Sequence, residues 1–280
     1  MKPSRDGFLT NDRQQQVYYQ CWQSEVKSKA NLFIVHGLGE HSGRYQRLIE
    51  ALSPRGFQFT AIDLIGHGKS AGKRGHVAHF DDFLDDIGLA LDTIDKPATN
   101  QLPLFLLGHS LGGLIGFYAA LRFADRWQGV ILSAPVFALA MPVPKLKAKM
   151  GKITAAILPS LTLKNELDPA GLSHDEQVVK AYIEDPLVHD QISTRLFVEM
   201  MSAMQAAPQR AKELQLPLLL IQGGADPIVS PTGTRTVYNA VASTDKSLLV
   251  YDGFYHESFN ERDNAAVFND LEHWLLQHLK

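Results

Sequence analysis

The sequence predicts an α/β protein with a mostly parallel central sheet, helices on both faces and a helical insertion late in the chain. Three observations predict it. Short apolar runs alternate with amphipathic stripes along most of the 280 residues, the pattern of strand–helix–strand units. Those runs are apolar throughout rather than alternating, as strands buried on both faces must be. From Val136 to Ala207 the alternation stops, and it resumes at Leu216.

In chain order, Val17–Trp22 reads as an early antiparallel strand. Buried strands follow at Leu32–Val35, Phe57–Asp63, Leu104–Leu107, Val130–Ser133, Leu218–Gln222 and Leu248–Tyr251. Between them, Phe80, Phe83, Leu84, Ile87, Leu91 and Ile94 recur at the 3.6-residue period of a helix. Val267, Phe268, Leu271, Trp274 and Leu275 do the same in the last helix. Residues 136–207 hold no convincing strand and read as a helical cap over a core made of 1–135 and 208–280. In the cap, Leu146, Met150, Ile153 and Ile157 form an apolar stripe, with Lys145, Lys149 and Lys152 on another side. Such a stripe packs on the core or meets a lipid surface, and periodicity alone does not choose.

Composition narrows the classes. A net charge of −3 gives no electrostatic footprint for nucleic acid. Cys21 is the single cysteine, so no internal disulfide forms and a reducing compartment is permitted. Met1–Arg13 lacks the apolar segment of a signal peptide, and no apolar run reaches the roughly 20 residues of a membrane span. We expect a cytoplasmic protein, with membrane-surface contact open to it through the cap. No closely spaced His/Cys/carboxylate set suggests a metal, and no cofactor is expected.

The chemistry starts at Gly108-His109-Ser110-Leu111-Gly112-Gly113, behind an apolar strand and ahead of a helical pattern. A serine in so tight a turn, with glycine two before and two after it, is the form of a nucleophile elbow. Its Oγ projects beside a helix N-terminus, whose dipole favours an oxyanion. A serine hydroxyl needs a base, and the base needs an orienting carboxylate. Leu218–Gln222 leads into Asp226, and Leu248–Tyr251 leads into His256, each past the end of its strand. Asp252 is a rival acid, but sits too near His256 in sequence for the expected two-loop arrangement. His36 and His109 are read as supporting the loops they occupy. The amide of Leu111, next after the serine, and that of Leu38 in His36-Gly37-Leu38-Gly39-Glu40 are the expected oxyanion donors, with Gly39 as a substitute for Leu38.

These stretches resemble the monoacylglycerol lipase branch of the α/β-hydrolase family, which includes bacterial lysophospholipase-like esterases. The likeness runs through His36–Tyr45, Asp63–Ser70, Gly108–Gly113, Gly223–Asp226, Tyr255–Glu261 and Ala181–Leu187, nearly the whole chain. It implies a serine esterase that cleaves monoacylglycerols through an acyl-enzyme. Lysophospholipase, general carboxylesterase or thioesterase activity is the alternative, and a non-catalytic binding protein on the same fold is the rival from another class. The resemblance also implies that Glu40, Arg44 and Tyr182 shape the polar end where glycerol sits; the structural alternative, equally open, is that Glu40 and Arg44 form an ion pair bracing the oxyanion loop. An acyl chain needs an apolar tunnel, and Ile153 and Ile157 are expected at its mouth or against lipid. Asp63 and Gly66–Ser70 are read as scaffold. One departure stands out: Phe259 occupies the place where mammalian relatives tend to carry a second histidine.

Overall fold

The computed structural model describes residues 1–94, 102–141 and 143–279, without the side chains of 145, 147 and 148. In chain order the elements are β1 (Arg5–Thr10), β2 (Gln16–Trp22), β3 (Ala30–Val35), α1 (Gln46–Leu52), β4 (Phe57–Ile62), α2 (Asp81–Thr93), β5 (Leu104–His109), α3 (Leu111–Arg122) and β6 (Gly129–Ser133). Next come α4 (Lys145–Ile157), β7 (Thr162–Lys164), α5 (Glu176–Glu184), β8 (Gln191–Ser193), α6 (Thr194–Arg210), β9 (Leu218–Gly223), α7 (Pro231–Ala240), β10 (Lys246–Tyr251) and α8 (Ala265–Gln277).

The main sheet has eight strands in the order β1-β2-β4-β3-β5-β6-β9-β10. The pairs β1–β2 and β2–β4 are antiparallel, and the other five are parallel. Every residue of β3, β5, β6 and β9 is buried, which explains their unbroken apolar runs. Leu32, Ile34, Phe105, Leu107, Ile131 and Ile221 point to the face covered by α1 and α8. Phe33, Val35, Leu106, Val130, Leu132 and Leu220 point to the face covered by α2, α3 and α6. Truncating a side chain such as Phe33, which is wholly buried, to alanine costs about 3–5 kcal/mol.

Register decides where the chemistry sits. Val35 pairs with Gly108, His109 with Ser133, Ser133 with Ile221, and Gly223 with Tyr251. The loops after β3, β5, β9 and β10 therefore leave the sheet at one edge, the carboxyl ends of parallel strands, where open α/β sheets gather their sites.

Three expectations are corrected. A strand precedes Val17: β1 is an edge strand, mostly exposed, and carries little apolar signal. The insertion is not purely helical, because β7 and β8 form a two-stranded antiparallel sheet; three residues apiece are too few for alternation to reveal. The boundary expected at 207 falls inside α6, whose Leu196, Met200, Ala203, Met204 and Ala207 join the main core. Of the lysines beside the cap stripe, the Lys145 side chain lies outside the described residues. No described helix is long and apolar enough to cross a membrane.

Candidate active site

Ser110 joins β5 to α3 with φ 55° and ψ −119°, a conformation that L-residues rarely adopt and that costs about 1–3 kcal/mol. The surroundings hold it there. Its N–H donates to Ser133 O at 3.0 Å, and its carbonyl accepts from Gly113, Leu114 and Val136. A side chain at Gly108 would strike the Gly112 carbonyl, and one at Gly112 would strike the Val35 and His36 carbonyl oxygens. The glycines thus bring α3 down onto the end of β3. Leu111 opens α3, so its amide lies in the helix's first turn, where N–H groups lack intrahelical acceptors.

The loop after β3 lies directly against Ser110. A Cβ added to Gly37 would come within 3.1 Å of Ser110 Cβ. The loop is pinned at both ends. His36 Nε2 accepts from Leu64 N–H at 2.9 Å, and Gly39, at φ 76°, offers its carbonyl to His189 N–H at 2.9 Å. Leu38 sits half-buried between them.

Asp226 and His256 face each other with 2.8 Å between Oδ2 and Nδ1. The acid is further held by Gln222 Nε2 on Oδ2 at 3.0 Å, and by the Ile228 and Val229 amides on Oδ1. Burial would raise the Asp226 pKa, but the His256 charge and hydrogen bond, with those amides, bring it below the usual carboxylate value. Burial would lower the His256 pKa, but Asp226 first, then Glu257 and Glu40, bring it above the usual histidine value. With Nδ1–H donating to Asp226, Nε2 is left as the basic nitrogen. The His256 ring lies 4.8 Å from that of His109, which immediately precedes Ser110. Burial, reinforced by His256, pushes His109 down to about 4 and keeps it neutral. Asp252, the rival acid, is exposed on the turn after β10.

The remaining candidates fall in two places. Arg44 donates to Glu40 at 2.8 Å and to Glu257 at 2.6 and 2.9 Å, and its guanidinium lies over the Tyr182 ring of α5 at 4.7 Å. Ile153 and Ile157 lie on the outer side of α4, 55% and 73% exposed, while Gly151 of the same helix faces Phe197 of α6.

Three contributors escaped the sequence reading. Gln222 hydrogen-bonds Asp226, and the polar residue closing an otherwise apolar strand was a usable signal. Glu257 pairs with Arg44. Glu261 accepts from Tyr255 N–H, His174 N–H and His174 Nδ1, tying the His256 loop to the insertion; nothing local announces either contact. The insertion also holds the His256 loop directly, since Gly171 and Leu172 carbonyls accept from His256 and Glu257 N–H.

The family model described as serine aminopeptidase, S33 (Hydrolase_4), matches residues 26–263. A monoacylglycerol lipase of Mycolicibacterium smegmatis is 33% identical over 268 residues, 94% of each chain. Phospholipase YtpA of Bacillus subtilis is 34% identical over 250 residues, 88% of this chain and 95% of its own. The whole chain also matches 30% of a longer abhydrolase-domain protein of Dictyostelium discoideum, at 33% identity. The crystal structure of the Paleococcus ferrophilus monoacylglycerol lipase superposes with a TM-score of 0.86 at 36% identity, covering 94% of this chain and 99% of that one. The chain belongs to the serine aminopeptidase S33 family and is a carboxylic ester hydrolase with the α/β-hydrolase fold.

Proposed function

We propose that the protein hydrolyses esters of single-chain lipids, monoacylglycerols foremost, to an alcohol and a fatty acid. The observation that carries the reading is the buried Asp226–His256 pair beside the strained elbow of Ser110. In this reading His256 Nε2 takes the Ser110 hydroxyl proton as Oγ attacks the ester carbonyl. The amides of Leu38 and Leu111 stabilise the oxyanion. The tetrahedral intermediate collapses, His256 returns the proton to the departing alkoxide, and an acyl-enzyme remains. Water then attacks with His256 again as base, releasing the fatty acid and restoring Ser110.

The insertion between β6 and α6 acts as the cap under which the acyl chain lies. Its exposed stripe, Leu146, Met150, Ile153 and Ile157, touches the lipid surface that supplies substrate while the protein stays cytoplasmic. The phospholipase among the relatives favours lysophospholipids as the second reading. A fluorophosphonate probe tests the nucleophile: labelling is expected in the parent protein and lost in Ser110→Ala, and labelling that survives that change overturns the reading. Side-by-side assays of monoacylglycerol, lysophosphatidylcholine and a short p-nitrophenyl ester then rank the substrates.

A further inference from the structure

Arg44 joins two loops that have to stay in register during catalysis. Its guanidinium grips both oxygens of Glu257, the residue after His256, and one oxygen of Glu40. The other oxygen of Glu40 accepts from Gly37 N–H at 2.6 Å and from Tyr45 OH at 3.1 Å. Asn260 adds a third donor to Glu257, at 2.7 Å. Every carboxylate oxygen in the chain Glu257–Arg44–Glu40 therefore accepts from the protein itself. All three side chains are at most 10% exposed. That leaves little acceptor capacity for the hydroxyls of a bound alcohol.

We propose that Arg44 is a positioning residue for the ester hydrolysis, bracing the oxyanion loop against the catalytic-base loop rather than binding the alcohol half of the substrate. The proposal rests on the assignment of Ser110 and His256 above. The connected path runs from His256 through Glu257, Arg44 and Glu40 to the Gly37 amide, and Gly37 itself abuts Ser110 Cβ. A bidentate guanidinium fixes angle as well as distance, which a lysine ammonium does not. Tyr182 covers the guanidinium from the cap, so cap placement and brace are coupled.

The brace also sets charge around the base. His256 is faced by Asp226 from the β9 loop, Glu257 from its own loop, Glu40 from the β3 side, and neutral His109 from the elbow. The cap meets it through the Gly171 carbonyl. Burial alone would raise the Glu40 pKa, but Arg44, with His109, His36 and the Gly37 amide, holds it at about 2. Glu40 thus stays charged, and Arg44 offsets a negative charge that would otherwise favour the His256 imidazolium.

The test compares monoacylglycerol with p-nitrophenyl butyrate, which has no glycerol, after Ser110→Ala has confirmed the nucleophile. Activity surviving Ser110→Ala defeats the catalytic assignment; only with that assignment intact is Arg44 at issue. Arg44→Met is expected to lower kcat on both esters by about 100-fold, the scale of a small misplacement of catalytic groups, and to move the acid limb of kcat/KM to higher pH. Arg44→Lys keeps the charge without the fork, so the rate falls on both esters while the acid limb stays. Glu257→Gln moves the limb to lower pH. Should Arg44→Met not fold, the lysine and Glu257→Gln variants carry the same comparison. Loss on monoacylglycerol with p-nitrophenyl butyrate spared would assign Arg44 to the alcohol and overturn the proposal. Equal loss on both esters with no shift of the limb in Arg44→Met or Glu257→Gln would also overturn it.

Discussion

His256 Nδ1 lies 2.8 Å from Asp226 Oδ2, with the two side chains 2% and 0% exposed. Screening by solvent is slight at that depth, so the carboxylate favours the imidazolium strongly. A base must be neutral to accept the Ser110 proton. Because its pKa is raised from 6.5, kcat/KM should rise with loss of one proton at a pH above that value, then flatten. Asp226→Asn should move the limb to lower pH and cut kcat by about 10³–10⁴-fold, whereas Asp252→Asn should leave both unchanged. A pH–rate profile of the three proteins checks this, and the reverse outcome would show that Asp252 is the acid.

The elbow stores strain at one residue. Ser110 has φ 55°, which glycine tolerates far better than serine. Ser110→Gly should abolish turnover yet stabilise the fold by about 1 kcal/mol. Denaturant titration gives the answer, and a clear fall in stability would mean that the hydroxyl supports the fold more than the turn strains it.

The core was legible because its signals are local. Each central strand is a run of apolar residues set by burial on both faces, and the strained turn at Ser110 announces itself through Gly108, Gly112 and Gly113, each needed for close backbone approach. Asp226 and His256 were readable because each follows its own strand, and register brings those strand ends together. What stayed hidden is long-range. Arg44 and Glu257 lie 213 residues apart, and no periodicity reports such a contact. β7 and β8 are too short to show alternation, and β1 is an exposed edge. The side of α4 that faces outward follows from its packing against α6, which the stripe alone left open.

Another buried carboxylate lies far from the proposed chemistry. Asp86 of α2 is fully buried. Its Oδ1 accepts from Asn11 and Arg13 of the β1–β2 turn, at 2.8 and 2.7 Å, while Oδ2 has no partner among the described residues. Burial pushes its pKa up from 3.8 to about 6 despite Asn11 and Arg13, and Asp82 and Asp85 add to the rise. A folded pKa above the unfolded one means the protonated carboxyl stabilises the fold. That contribution is complete below the unfolded value and lost as pH rises through about 6. Relative to Asp86→Asn, the parent protein should therefore lose up to roughly 1.4 kcal/mol per pH unit between these values. Urea midpoints of both proteins at pH 4, 5, 6 and 7 measure the trend, and a stability difference that ignores pH would refute the shift.

The outward stripe of α4 makes the last prediction. Ile153 and Ile157 are 55% and 73% exposed, and two apolar side chains on one turn of a helix bearing Lys149 and Lys152 form a surface suited to lipid. An aspartate there meets water in the free protein, so the fold and the Asp226–His256 pair should be undisturbed, with Tm essentially unchanged. At a membrane the same carboxylate opposes anionic headgroups and must be dehydrated for the helix to sink in. Ile153→Asp or Ile157→Asp should therefore weaken sedimentation with anionic vesicles and reduce hydrolysis of long-chain monoacylglycerol by about tenfold, a free-energy loss of about 1.4 kcal/mol. Hydrolysis of soluble p-nitrophenyl butyrate should stay within about twofold, since that ester reaches Ser110 without a surface. Equal losses on both esters with the fold intact would remove the stripe from the substrate's route.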